Sequence, residues 1–133
     1  MLKDFFMALS ENQILNGAAK KYGLKMGAQH VVAGTNIEET IESIKKLNSM
    51  GISCTVDNLG EFVFEKEEAL AAKAQIIAVI EAIEEHQVDA HISLKPSQLG
   101  LDIDSNFCVE NMRRILETAK KYNNFVRIDM EDY

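Results

Sequence analysis

Three charged residues occupy matching places in three short alternating runs: Asp57 in ISCTVDNL (52–59), Lys95 in AHISLKPS (90–97) and Asp129 in FVRIDME (125–131). An ammonium held between carboxylates can receive a small anionic substrate and fix its orientation, which is catalysis chiefly by positioning. In the central run Ile92 and Leu94 point one way while His91, Ser93 and Lys95 point the other. Cys54 and Val56 likewise oppose Ser53, Thr55 and Asp57, and Val126, Ile128 and Met130 oppose Arg127, Asp129 and Glu131. Each run therefore has an oily face, a polar face and a charge at its C-terminal end.

The elements that must position these charges follow from the segments between them. Each connection is long and helically periodic, with room for the crossover that parallel neighbours require. The spacing predicts three parallel strands with their charged ends at one edge. With sequential strands adjacent, Asp57 and Asp129 flank Lys95 at about one strand spacing, ~4.8 Å. A lone ammonium there costs several kcal/mol, and a carboxylate about 4 Å away returns on the order of 4 kcal/mol at an effective dielectric of ~20. The three charges are tolerable only as a set.

Around the strands, residues 2–9 and 11–22 read as short helices, with Ile14, Leu15, Ala18, Ala19 and Tyr22 at helical spacing before Gly23. Residues 26–34 have no clear period. Thr35 with Glu38 forms a capping box for a helix whose stripe is Ile37, Ile41, Ile44 and Leu47, closed by Gly51. Residues 65–86 form a long helix carrying Leu70, Ile76, Ile77, Ile80 and Ile83, and residues 107–122 another carrying Phe107, Met112, Ile115, Leu116 and Ala119. Pro96 ends the middle strand, because the residue before proline is driven to an extended conformation.

These elements imply an α/β fold. Successive strand-helix units, polar within and charged at the C-terminal ends, are the first part of a (β/α)8 TIM-like barrel with its site at that end. Such a barrel needs about 250 residues, so the 133 residues are expected to be one incomplete barrel domain. Residues 1–50 would supply N-terminal helices, and 51–133 the first three strands with their intervening helices.

The net charge of −7 argues against nucleic acid, whose phosphates call for clustered Lys and Arg. Cys54 and Cys108 are too few and too far apart for a disulfide framework or zinc site and read as reduced thiols. There is neither a signal-peptide pattern nor an apolar run of membrane-spanning length, so a cytoplasmic protein is expected.

The runs ISLKPSQLGLDID (92–104), VDNLGEF (56–62) and VRIDMEDY (126–133) together resemble the monofunctional bacterial proline dehydrogenase family. The opening LSENQILNGAAKKYGLKMGAQHVVAG (9–34) is similar to that family's N-terminal helices. The resemblance runs in order through essentially the whole chain and covers the N-terminal half of a family member. It implies a flavoenzyme that oxidises L-proline to 1-pyrroline-5-carboxylate by hydride transfer to FAD and passes electrons to a membrane quinone. Such an enzyme works in the cytoplasm, peripheral to the inner face of the membrane.

By the same resemblance Lys95 holds the substrate carboxylate, Asp129 lies beside flavin and lysine, and Ile128 is a flavin-contacting position. Glu61 resembles the glutamate that pairs with an arginine of the final helix to close the site; Asp57 is an ion-pair partner by its place at the strand ends, not by the resemblance. The family's flavin-binding arginine and lysine, and its paired carboxylate-clamping arginines, have no counterpart in these 133 residues. Turnover by this stretch alone is therefore not expected.

Two other readings use the same residues. Asp57, Asp129, Glu131 and Asp132, with His91, are oxygen and nitrogen donors suited to Mg2+ or Mn2+ in a barrel hydrolase or isomerase, although Lys95 would repel the ion. A non-catalytic half-barrel would instead self-associate through its open sheet edges. His30 and His86 read as structural or solvated, His91 as a hydrogen-bonded residue on the polar face, and Cys54 as a small core residue.

Overall fold

The computed structural model describes residues 34, 36–60 and 62–131. Within them the order is α1 (Ile37–Ser49), β1 (Cys54–Asp57), α2 (Lys66–Glu85), β2 (Ala90–Leu94), a 3-10 helical turn (Pro96–Leu99), α3 (Ser105–Lys121) and β3 (Val126–Ile128). The expected helices before residue 34 and the Thr35 cap lie outside the described residues. Asn36 caps α1 instead, its side chain accepting from Glu39 N–H at 2.9 Å. Glu38 and Glu39 in the first turn and Lys46 in the last suit the helix dipole.

The sheet is parallel throughout, in the order β1-β2-β3, as the long helical connections imply. Thr55 pairs with His91, Asp57 with Ser93, Ser93 with Arg127, and Leu94 with Ile128. Because side chains alternate, this register stacks the polar residues of all three strands on one face and the apolar ones on the other.

The apolar face is covered by helices. Ile41 and Ile44 of α1, Ile76, Ile80 and Ile83 of α2, and Cys108, Ile115 and Ala119 of α3 form one core with Ala90, Ile92, Leu94 and Leu99. The helical stripes are narrower than the sequence spacing suggests. Leu70 of α2 and Leu116 of α3 are exposed at 41% and 43%. Their places against the core are taken by Ala69, Ala72, Cys108 and Asn111. Small side chains let α2 and α3 approach closely at the end of the sheet, where the Pro96–Leu99 turn wedges between them.

That turn is sharp enough to need Gly100, which has φ +91°. A Cβ there would lie 2.8 Å from the Phe107 ring, so glycine is required both for conformation and for space. Asp104 then caps α3, accepting from Phe107 N–H at 2.7 Å.

The core assignment gives a direct expectation. Ile115→Ala, at a fully buried position, should lower the unfolding free energy by about 2–4 kcal/mol. Leu116→Ala, one residue on but half exposed, should change it by less than about 1 kcal/mol. Chemical denaturation of the two variants checks the facing of α3.

Candidate active site

The polar face of the sheet is built in layers. The lowest layer within the paired strands holds Thr55 and His91, whose Oγ1 and Nε2 lie 2.9 Å apart, with the Phe125 ring set edge-on to the imidazole. Above it the register aligns Asp57, Ser93 and Arg127. The top layer is formed by Lys95 and Asp129, because the ladder continues through Asp129 N–H donating to Leu94 C=O at 2.9 Å.

Lys95 is extended, φ −115° and ψ 135°, immediately before Pro96, as the proline demands. Its ammonium donates to Asp57 Oδ2 at 3.0 Å across the β1–β2 boundary. The lysine side chain is 19% exposed and the aspartate 40%, so the pair sits at the rim with access to solvent.

Asp129 behaves differently from the expected second flank of the lysine. Its Oδ2 accepts from Ser93 Oγ at 2.7 Å, and Arg127 grips both of its oxygens, Nε to Oδ1 at 2.8 Å and Nη2 to Oδ2 at 3.3 Å. The Ser93 hydrogen bond, then Arg127, then the nearby Lys95 charge hold its carboxyl below the ordinary carboxylate range. The charges resolve into two linked pairs, Asp57–Lys95 and Asp129–Arg127, with Ser93 buried between the strands.

Ile128 is in register with Leu94 and so shares its helix-facing side. Any contact it makes toward the polar face comes from its main chain. Glu61 lies outside the described residues, between Gly60 and Phe62 in the loop after β1. That loop is held under strain. Phe62 has φ +54°, a left-handed conformation costly for a bulky side chain, and its N–H is anchored on Ser97 Oγ at 3.3 Å.

The metal-donor set does not assemble. Asp57 is paired with Lys95, Asp129 with Arg127 and Ser93, and His91 with Thr55, while Asp132 lies outside the described residues. Glu131 turns toward Ser97, its Oε1 accepting from Ser97 Oγ at 2.6 Å and its Oε2 from Ser97 N–H at 3.1 Å. No group of three or more histidine, cysteine, aspartate or glutamate side chains is placed to hold an ion among the described residues. Both cysteines are free and buried, and burial pushes their thiols up. No helix among the described residues is long and apolar enough to cross a membrane.

The sequence pattern placed Ser93 and Arg127 on the polar face without giving them work, and it missed the Ser97–Glu131 contact. A serine two residues before the lysine and another two after it were the available signals.

Comparison with known proteins bears on the family and the fold. A family described as proline dehydrogenase matches residues 40–133. "Proline dehydrogenase 1" of Bacillus subtilis subsp. natto is 41% identical over 133 residues, covering 100% of this chain and 44% of its own length. "Proline dehydrogenase 2" of Bacillus subtilis (strain 168) is 42% identical over 130 residues, covering 98% of this chain and 43% of its own length. "Proline dehydrogenase" of Deinococcus radiodurans is 34% identical over 109 residues, covering 80% of this chain and 35% of its own length. The chain thus spans less than half the length of these curated relatives. Among solved structures, proline utilization A from Bdellovibrio bacteriovorus superposes with a TM-score of 0.73 at 21% identity, covering 90% of this chain and 15% of that one. That likeness concerns the fold, and it places the three parallel strands in a (β/α)8 barrel.

The depressed Asp129 carboxyl makes a pH prediction with a definite sign. A carboxyl lowered in the folded state stabilises the fold above its unfolded value, ~4, and that contribution is lost as pH falls through the folded value. Carboxyl NMR titration should find Asp129 below the ordinary range, and Ser93→Ala should move it upward. Asp129→Asn should make the acid limb of the stability profile shallower.

Proposed function

We propose a function from one premise: the chain belongs to the proline dehydrogenase family. The protein oxidises L-proline to 1-pyrroline-5-carboxylate, and this chain supplies the arc of barrel that anchors the substrate. The observation that carries this reading is the Lys95 ammonium at the rim of the polar face, 3.0 Å from Asp57 and in the field of Asp129.

Proline brings a carboxylate and a ring nitrogen. Its oxidation removes a hydride from the ring carbon beside the nitrogen and a proton from the nitrogen, leaving a carbon–nitrogen double bond. The Lys95 ammonium is a rotatable three-donor head, able to share or exchange carboxylate partners. Asp57 holds that head at the rim, so the substrate carboxylate arrives at a charge already positioned. Asp129, kept ionised by Ser93 and Arg127, fixes the potential on the opposite side of the lysine. Glu61, which precedes Phe62 in the sequence, is the residue assigned to pairing with an arginine.

The donor set at the tip of β3 is compatible with a flavin. It offers a carboxylate acceptor fixed by two partners and the Ile128 main chain beside it. FAD, when bound there, supplies the two-electron acceptor for the departing hydride. Membrane quinone takes the electrons onward, with the protein peripheral to the cytoplasmic side of the membrane.

Proline-dependent dye reduction by the protein in its flavin-loaded form tests the reading. Lys95→Ala should raise KM for proline by about 10–100-fold, the worth of a charged hydrogen-bonded contact, while flavin content is unchanged. An unaltered KM in that variant removes the anchor role.

A further inference from the structure

We propose that Glu131 is a positioning residue, acting through Ser97 to hold Lys95 and Asp129 at working separation and to keep the loop after β1 folded against them. The inference rests on the substrate-anchor role given to Lys95 above. Glu131 itself touches none of the groups that would meet substrate or cofactor. What it does is join the exits of all three strands at one buried serine.

Ser97 is fully buried and makes four contacts. Its N–H and hydroxyl both donate to the Glu131 carboxylate, at 3.1 and 2.6 Å. Its Oγ accepts from Phe62 N–H at 3.3 Å and its carbonyl accepts from Val63 N–H at 3.2 Å. Ser97 follows Lys95 by two residues, Glu131 follows Asp129 by two, and Phe62 is next to Glu61. Three residues assigned to the site are thus each within two positions of one hydrogen-bonded hub.

Besides the Lys95–Asp57 pair and the Ser93 and Arg127 bonds to Asp129, Gln98 Nε2 donates to Asn58 C=O and ties the loop after β1 to the turn after β2. β3 ends at Ile128, and the last ladder contact is Asp129 N–H to Leu94 C=O. Met130 is 91% exposed, so packing does not hold the chain between Asp129 and Glu131. The paired, charge-assisted bonds to Ser97 do. On the other side only Pro96 separates Ser97 from Lys95, and its locked φ transmits the position of the serine to the lysine backbone. The left-handed Phe62 persists because its N–H and that of Val63 are both seated on Ser97.

The serine needs both carboxylate oxygens. Without them its buried N–H and hydroxyl lose their acceptors, and the hydroxyl turns to whatever acceptor it can reach. That reorients Oγ away from Phe62 and loosens the loop, although Glu131 does not contact the loop.

Two measurements test this. In the flavin-loaded protein, Glu131→Ala should raise KM for proline about tenfold with kcat changed less than about threefold, the pattern of a displaced binding group. Glu131→Gln, which keeps one acceptor for Ser97 N–H but none for the hydroxyl proton, should recover only part of the loss. In the full 133-residue chain, amide exchange of Phe62 and Val63 should quicken in Glu131→Ala while the amides of α3 keep their protection. Unchanged KM and unchanged exchange at Phe62 and Val63, with Lys95→Ala still raising KM, overturn the proposal and leave the anchor reading intact. If Lys95→Ala leaves KM unaltered, the anchor reading fails, and the exchange of Phe62 and Val63 alone decides whether the hub exists.

Discussion

Parallel pairing on both sides of β2 is the constraint from which the rest follows. In an antiparallel sheet the C-terminal ends of neighbouring strands point in opposite directions, and Asp57, Lys95 and Asp129 would be scattered over two edges. Parallel order brings all three to one edge, at the cost of long crossovers. Those crossovers are α2 and α3, and their small residues at Ala69, Ala72 and Cys108 allow them to pack closely over the oily face. The helices are therefore what the parallel sheet needs in order to exist, and the site is what the parallel sheet makes possible.

The electrostatics of that edge are subtler than a lysine between two carboxylates. Carboxylates on both sides of one ammonium leave an excess negative charge, and the structure removes it by giving Asp129 its own cation. Arg127 chelates the aspartate two residues along its own strand, and Ser93 adds a hydrogen bond from the strand between. Asp129 is thereby fixed in orientation by Ser93 and Arg127, and in charge chiefly by them with a smaller contribution from Lys95. The ammonium has Asp57 as a rim-exposed partner.

Much of this was legible in the chain because period-two alternation and proline chemistry are local. The oily and polar faces and the end of β2 at Lys95-Pro96 follow from patterns within a few residues, while the parallel order and the meeting of Asp57 with Lys95 follow from the long helical connections. What the pattern could not give depends on closeness in space. Leu70 and Leu116 lie at helical spacing with the core residues yet stay exposed, because alanine and cysteine let the helices settle nearer than leucine would. Asn36 rather than Thr35 caps α1, a difference of one residue that two adjacent capping-type side chains leave open in sequence. Ser97 and Glu131 are 34 positions apart, and no periodicity connects them.

Stability and chemistry are carried by opposite faces of the same sheet, and magnitudes separate them. A rim ion pair such as Asp57–Lys95, 40% and 19% exposed, contributes about 0–1 kcal/mol to folding once solvent screening is counted. A buried isoleucine in α2 or α3 contributes several-fold more. The fold would lose little if the pair were replaced by neutral residues, so stability does not account for a lysine at this position. The place of the lysine is instead what the proposed anchoring of a substrate carboxylate calls for, an ammonium already positioned by Asp57. The oily face makes the sheet rigid enough for that charge to be worth placing, and the polar face can then vary in what it binds without unsettling the core.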